Sequence, residues 1–493
     1  SSYIGANVWR FLSGFLLYVY FCFVMKLFRF MIIAVLLTGS IAVGAQTIPT
    51  LQQKLKGAVV AYAVTDVATG KPLAQWQETT AITPASITKL ITTASALEML
   101  GADYRFKTYL EYDGVLKDSV LEGNLYVRGG GDPTLGSEFL GDPNFMSAWM
   151  DAVRCVGIAK ICGDVVADAS AYDNEGFNPR WTWMDVANYY ASGVYGISIA
   201  DNTLHIMLKT NAAGTVPEIQ QLNPNIPELV IENYLRAEKI NFDSAYLYGL
   251  PLSNVRTLRG AIPCNRQNFV VRGDIPNPPL YLAQLFKQNL EENGVTVSGK
   301  AAVTWDTQPR NLFFTHYSPL LKDIVKVINF YSNNHYAEHL FKQIAFVQTG
   351  NGSNEAARHC IKNFWQSKGL DVSSCFQYDG SGLARENMFT VQFFNDVLLY
   401  MKTKSRNTDS FAMSLPKAGK EGTVRNLFKG KNLQENMFLK SGSMSRVQSY
   451  SGYIESGTHH YAVTVVVNNF LQSRAVVVKE IQEWLLDVMK TKK

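Results

Sequence analysis

The chain has 493 residues, 47% of them hydrophobic and 18% charged, with a formal net charge of +5. That length is too great for one ordinary core, so two or three domains are expected, and the apolar content excludes a disordered chain. Arg10, Lys26 and Arg29 fall in the first 45 residues, which carry no acid; the remainder holds 43 basic and 41 acidic side chains, a balance that gives no reason to expect nucleic acid as a partner.

The first 45 residues read as a leader. Met25–Phe30 is a short basic start, Met31–Val43 an apolar run, and Val43-Gly44-Ala45 a small-residue cleavage site. The run is shorter than the roughly 20 residues of a spanning helix. Ahead of it lies a second apolar stretch, Phe11–Val24, which is either translated upstream sequence with Met25 the true start, or a membrane hairpin or anchor. An exported protein follows, expected in a periplasm; the alternatives are a secreted wall-associated protein or one anchored by its N-terminus. In that compartment Cys155/Cys162 and Cys360/Cys375 suit two local disulfides, or else remain thiols, and Cys264 has no evident mate.

From Gly57, GAVVAYAVTDVATGKPLAQW predicts two strands around an Ala-Thr-Gly turn. TPASITKLITTASALEML predicts a helix, with Ile87, Leu90, Ile91, Ala94 and Leu97 on its buried face. From Tyr104 the texture changes to short alternating strands with glycine turns, strand-like and rich in Asn and Pro over 200–275. Leu280–Asn293 predicts a helix, and helices resume from Asp323. Strands are expected at Met437–Lys440, Gln448–Glu455 and His460–Asn468, then an amphipathic helix from Arg474 to about Met489. The expected organisation is a leader (1–45), one α/β domain made from both ends of the chain (46–104 and 311–493), and a β-rich insertion (105–310) with a nested part near 200–275.

Three short motifs carry the chemistry. Ser86-Ile87-Thr88-Lys89 is S-x-x-K; on a helix this spacing places the amine beside the hydroxyl. A serine hydroxyl needs a base, and lysine serves only if its pKa is brought down from about 10.4. Chance alone supplies S-x-x-K matches, and a second one, Ser414-Leu415-Pro416-Lys417, carries a proline unsuited to a helix interior. Ser332-Asn333-Asn334 is S-x-N, with a rival at Ser405-Arg406-Asn407, and Lys440-Ser441-Gly442-Ser443 is K-[ST]-G on a strand candidate. Together they supply a nucleophile, a base, a proton donor for the leaving group and a cation for a substrate carboxylate. Gly442 has no side chain, so substrate backbone can approach the strand there. None of this chemistry requires a metal or other cofactor.

These motifs are the signature of serine β-lactamases and penicillin-binding proteins. Ser86 and Ser332 lie 246 positions apart, too far for a short β-lactamase. With GGGDPTL (129–135), GDVVADASAYD (163–173), SNNHYAEHL (332–340), YDGSGLARENM (378–388) and SLPKAGKEGTVRNLF (414–428), the chain resembles the low-molecular-mass class C penicillin-binding proteins of the penicillin-binding protein 4 type, from about Leu51 to Met489. The resemblance implies a β-lactamase/transpeptidase-like domain, an antiparallel sheet with helices on both sides, and large insertions. It also implies a D-alanyl-D-alanine carboxypeptidase/endopeptidase acting on peptidoglycan stem peptides, with β-lactams as inhibitors. By position, Ser86 attacks, Lys89 activates it, Ser332 relays a proton, Asn334 holds the substrate amide and Lys440 supports relay and carboxylate, directly or through Ser441 and Ser443. Backbone N–H groups of Ser86 and Ser443 would form the oxyanion hole, and Asp168 and Arg385 would read the amine and carboxylate of a diaminopimelate residue; the alternatives are a strand-end turn residue for Asp168 and a structural salt bridge for Arg385. Where this family favours Thr, the third motif has Ser441, which keeps the hydroxyl.

Two other readings compete. His335-Tyr336-Ala337-Glu338-His339 is H-x-x-E-H, a zinc-peptidase pattern, but its helix would have to serve two sites at once. A non-catalytic β-lactam sensor or wall-binding protein would share the fold; the intact motifs argue against it.

Overall fold

A computed structural model describes residues 14, 18–26, 48–431 and 436–490. Contacts divide the chain into two units, Ser1–Gln53 and Lys54–Lys493. In the first, residues 18–26 are helical; the apolar run expected at 31–43 and the cleavage site at 43–45 lie outside the described residues. Among the described residues, no helix is long and apolar enough to cross a membrane.

The second unit is built on an antiparallel sheet with the strand order Pro72–Trp76, Val59–Asp66, His459–Asn468, Val447–Ser456, Asn436–Met444. The early and late parts of this unit therefore meet in one sheet. Alternation along the strands sorts their side chains between two faces. Ala61, Ala63, Ala462 and Val466 enter the large helical core with Ile87, Leu90, Ile91 and Phe341. Tyr62 turns the other way and meets Trp484 of the helix Arg474–Lys490, ring centroids 4.4 Å apart. The alanines keep the helix-facing side shallow, so the helix Val391–Thr403 can lie close against it, with Thr88–Leu100 packed beyond among the helices.

The helix Thr88–Leu100 is buried on every side from Thr88 to Leu97, not on the single face expected from its apolar spacing. Its polar residues are tolerated because each hydroxyl is bonded: Thr88 to Ala85 O, Thr92 to Gly380 O, Thr93 to Lys89 O and Ser95 to Ile91 O, all at 2.7–2.8 Å.

Between the two ends stands a second five-stranded sheet, ordered Ala301–Thr304, Val165–Asp168, Leu125–Gly129, Lys107–Tyr112, Asn311–Tyr317. Helices Phe145–Val156 and Pro278–Glu292 close its core through Trp149, Phe286 and Leu290. The second of these helices begins two residues before the expected Leu280, because Asn277 caps it and Pro278 suits its first turn. A smaller core of Leu204, Ile206, Leu208, Leu247 and Leu258 lies under two three-stranded sheets drawn from residues 203–274. Arg256 and Asp274 form a fully buried ion pair there, at 2.6 Å. All six cysteines are free thiols, so neither local disulfide forms.

Candidate active site

Ser86 lies in a 3₁₀ turn, Ala85–Ile87, that feeds directly into the helix Thr88–Leu100. Ala85 has φ 52°, a left-handed conformation that costs an L-residue roughly 1–2 kcal/mol. The surroundings enforce it. Ser449 Oγ donates to Pro84 O at 2.6 Å, and the Ala85 carbonyl lies so close to Gly382 that a Cβ there would be 2.1 Å away. Gly442 backs the same turn from the sheet: a Cβ would meet Ser449 Oγ at 2.2 Å and Pro84 O at 2.8 Å. Sequence reasoning assigned that glycine to substrate approach; the packing requires it for the seat of the nucleophile turn.

Lys89 Nζ is 3.2 Å from Ser86 Oγ and donates to Asn334 Oδ1 at 2.6 Å and Ser381 O at 2.7 Å. Complete burial pushes its pKa down to about 7, against the opposing pull of the Glu338 and Asp379 carboxylates. A neutral amine has two hydrogens and one lone pair. The two carbonyl oxygens take the hydrogens, which leaves the lone pair for the Ser86 hydroxyl.

Ser332 caps the helix Leu321–Tyr331 in the left-handed conformation, and the helix Asn334–Thr349 starts two residues on. The middle residue of the motif, Asn333, is its N-cap, accepting from Tyr336 N at 2.9 Å. Asn334 has both ends of its amide engaged: Oδ1 accepts from Lys89, and Nδ2 donates to Tyr190 O at 2.7 Å. It therefore orients the Lys89 amine, a contact that the substrate-holding role expected from the sequence did not include. Lys440, fully buried, donates to Ser332 Oγ at 2.9 Å and Ser441 O at 2.7 Å. Burial and the nearby Lys89 hold its pKa well below the ordinary lysine value. Ser441 Oγ is 2.7 Å from Thr423 Oγ1, and Ser443 is exposed on the same edge strand. The segment 416–418 covers that edge only as far as Leu439, whose N–H donates to Pro416 O at 3.0 Å.

Two acids with no role in the expected serine chemistry shape the site. Glu338 Oε2 and Oε1 accept from Gly380 N (3.0 Å) and Ser381 N (2.8 Å), fixing the loop whose Ser381 carbonyl holds Lys89. Burial raises the Glu338 carboxyl to about 8, reinforced by the Asp379 charge and opposed by those N–H donors. Asp379, fully buried, accepts from Gly382 N, Ala384 N, Asn387 Nδ2 and Trp181 Nε1. Arg385 sits on this loop with its side chain exposed, and its carbonyl accepts from Thr83 Oγ1 at 3.2 Å, three residues before the nucleophile.

The structure corrects the expectation for Asp168. It is fully buried in the second five-stranded sheet, its Oδ2 is 2.5 Å from Arg310 Nη1, and its Oδ1 accepts from Ser170 N. A carboxylate so enclosed and paired has no face left for a substrate amine. The H-x-x-E-H pattern is likewise occupied. His335 nitrogens lie 2.7 Å from Ser198 Oγ and 3.4 Å from Ser192 Oγ, His339 Nδ1 donates to Gly131 O at 2.8 Å, and Glu338 is spent on the loop. Burial pushes His335 down to about 3, so it is neutral. Among the described residues no group of three His, Cys, Asp or Glu side chains is placed to hold a metal ion. The decoy Ser414 is buried, donating to Phe411 O at 2.6 Å and accepting from Asn329 Nδ2 at 2.8 Å.

The fold and the paired Ser–Lys contacts define the class: a serine hydrolase whose nucleophile is served by a buried lysine. The chain superposes on the crystal structure of penicillin binding protein 4 (dacB) from Haemophilus influenzae with a TM-score of 0.78 at 23% identity, covering 89% of this chain and 98% of that one. The chain belongs to the D-Ala-D-Ala carboxypeptidase 3 (S13) family, whose profile matches residues 45–490. Similar proteins include the D-alanyl-D-alanine carboxypeptidase of Actinomadura sp. (strain R39), 29% identical over 84% of this chain and 78% of that protein. Another is D-alanyl-D-alanine carboxypeptidase DacB of Haemophilus influenzae, 26% identical over 82% of this chain and 84% of that one. Family and fold agree with the resemblance drawn from the three motifs.

Proposed function

We propose that this protein is a serine-type D-alanyl-D-alanine carboxypeptidase/endopeptidase that cleaves peptidoglycan stem peptides through an acyl-enzyme on Ser86, and that β-lactams acylate the same serine. The observation that carries this reading is the buried Lys89 amine 3.2 Å from Ser86 Oγ, its hydrogens committed to Asn334 and Ser381. Family membership supports it independently.

Substrate lies along the open edge beside Lys440–Ser443, its terminal carboxylate toward Lys440, Ser441 and Ser443. A carboxylate arriving there favours the protonated form of Lys440. Ser86 Oγ attacks the D-alanyl carbonyl while Lys89 takes its proton. The oxyanion receives the N–H groups of Ser86 and Ser443. Ser332, bonded to Lys440, passes a proton to the departing nitrogen as the amide breaks. The proton that Lys89 accepted passes on to Ser332 to replace the one given to the nitrogen; neutral again, Lys89 deprotonates the water that attacks the ester and returns that proton to Ser86 as the ester breaks. Arg385, exposed beside the nucleophile turn, holds a carboxylate of the stem peptide by charge-assisted hydrogen bonds.

We assign the chain from about 105 to 317 to an insertion beside this site, seven residues longer than the sequence pattern suggests, because Asn311–Tyr317 pairs with Lys107–Tyr112. Export to the periplasm is proposed on the basic-then-apolar pattern of residues 25–45. The functional test is release of D-alanine from a pentapeptide ending in D-Ala-D-Ala. Stoichiometric release catalysed by the wild type is expected; penicillin uptake without any peptide cleavage would instead make this a sensor.

A further inference from the structure

A cavity of about 280 Å³ opens beside Ser332 and Asn334 and is walled from the inserted segment by Glu138, Tyr189, His205 and Arg272. Its charges are not all spent on one another. Arg272 stacks over the Tyr189 ring at 3.8 Å and forms no ion pair among the described residues. Glu138 is largely exposed, its only ion-pair contact there being His205 Nε2 at 3.5 Å.

The rim is held in place at a cost. Ala200, Asp201 and Asn202 run consecutively through left-handed conformations, φ 52°, 54° and 47°, and none is glycine. Such strain persists only where the surroundings over-determine it, and it gathers at functional sites. Here Asn202 Oδ1 accepts from Ile199 N and Ser198 Oγ, and Nδ2 donates to Gly193 O. Ser198 Oγ also meets His335 Nε2 on the helix that begins at Asn334. Asp201, so fixed, accepts from Ser137 Oγ at 2.6 Å and Glu138 N at 2.9 Å, setting the backbone from which Glu138 faces the cavity. The strained turn thus locks the charged wall to the helix that supplies Asn334.

We propose that this cavity receives the leaving stem peptide of a cross-link, with Arg272 taking one of its carboxylates and the Glu138–His205 pair a donor group. The proposal rests on the acyl-enzyme reading above and deepens it. In that reading Ser332 hands a proton to the departing nitrogen, so whatever that nitrogen carries begins at Ser332. A departing D-alanine ends at its carboxylate, already claimed by Lys440 and Ser441. A cavity approaching the size that encloses a small organic ligand is more than it needs. In a cross-link the nitrogen belongs to the side chain of a second stem peptide, which has further carboxylates and amides to place. The amide C–N bond breaks, the Ser86 ester forms, the freed amine takes its proton through Ser332, and water then hydrolyses the ester, so no co-reactant beyond water is required.

The test compares R272A and R272K with wild type on three substrates: a cross-linked muropeptide dimer, a monomeric pentapeptide and a fluorescent penicillin. Losing a charge-assisted hydrogen bond to a carboxylate should lower kcat/KM on the dimer about tenfold or more. R272K should recover part of the loss. D-Alanine release from the pentapeptide and penicillin acylation should stay within about twofold, the scatter of a surface substitution. An R272A enzyme unchanged on the dimer, or equally impaired on dimer and pentapeptide, would overturn the leaving-stem assignment. A wild type that takes up no penicillin and cleaves neither peptide would overturn the functional reading, and this one with it.

Discussion

The buried Lys89 amine makes acylation a pH-dependent step whose midpoint the structure sets. An ordinary lysine at pH 7 is neutral about once in three thousand molecules; with the pKa brought down to about 7, half the molecules carry the free amine, a gain of about three orders of magnitude in competent base. Only the deprotonated form accepts the Ser86 proton, so the rate must fall as pH falls. Acylation by a fluorescent penicillin, followed in single turnover from pH 5 to 9, should level off above about pH 8, be half-maximal near 7, and drop about tenfold per unit below 6. Lys89→Arg keeps the charge but its guanidinium does not release a proton in this range. The variant should lose about three orders of magnitude near neutrality and lose the pH dependence as well. A wild-type profile flat from pH 5 to 9, a midpoint near 10, or a Lys89→Arg rate within about threefold of wild type (a barrier change of roughly 0.7 kcal/mol) would refute Lys89 as the base.

Asp168→Asn strands Arg310, 3% exposed, without its closest partner, and should cost about 3 kcal/mol in denaturant unfolding. Its acylation rate and its ratio of stem-peptide to penicillin turnover should not change. Gly442→Ala forces a Cβ within 2.8 Å of Pro84 O and should displace the nucleophile turn; an ångström of misplacement costs roughly a hundredfold in acylation, measured with the same penicillin. Arg385→Ala should lower kcat/KM on stem peptides about tenfold or more, while a small β-lactam lacking the stem is acylated at the wild-type rate. Equal losses on both would show that Arg385 only supports the loop.

The three motifs were legible because each is local: four residues of helix, one interhelical turn, one strand. Their meeting in space needed the resemblance, since Lys89 and Asn334 are 245 positions apart. The C-terminal strands were legible too, although the first was expected to end at Lys440 and continues to Met444, because small polar residues such as Ser441, Gly442 and Ser443 carry little strand signal of their own. Glu338 was seen only as part of a zinc-like pattern, because its true partners, Gly380 and Ser381, are backbone groups that leave no mark on composition. The partner of Asp168 was hidden for a related reason. Arg310 lies 142 positions downstream, and only the pairing of Val165–Asp168 with Ala301–Thr304 brings that stretch alongside. Gly442 was singled out correctly but for the wrong neighbour, since a sequence shows where a side chain is missing and not what fills the space.

The central claim is the covalent role of Ser86, and mass mapping of the β-lactam adduct tests it most directly. The expected result is one penicilloyl group on the peptide containing Ser86, and none on a folded Ser86→Ala protein. An adduct on Ser414, or one that persists in Ser86→Ala, would contradict it.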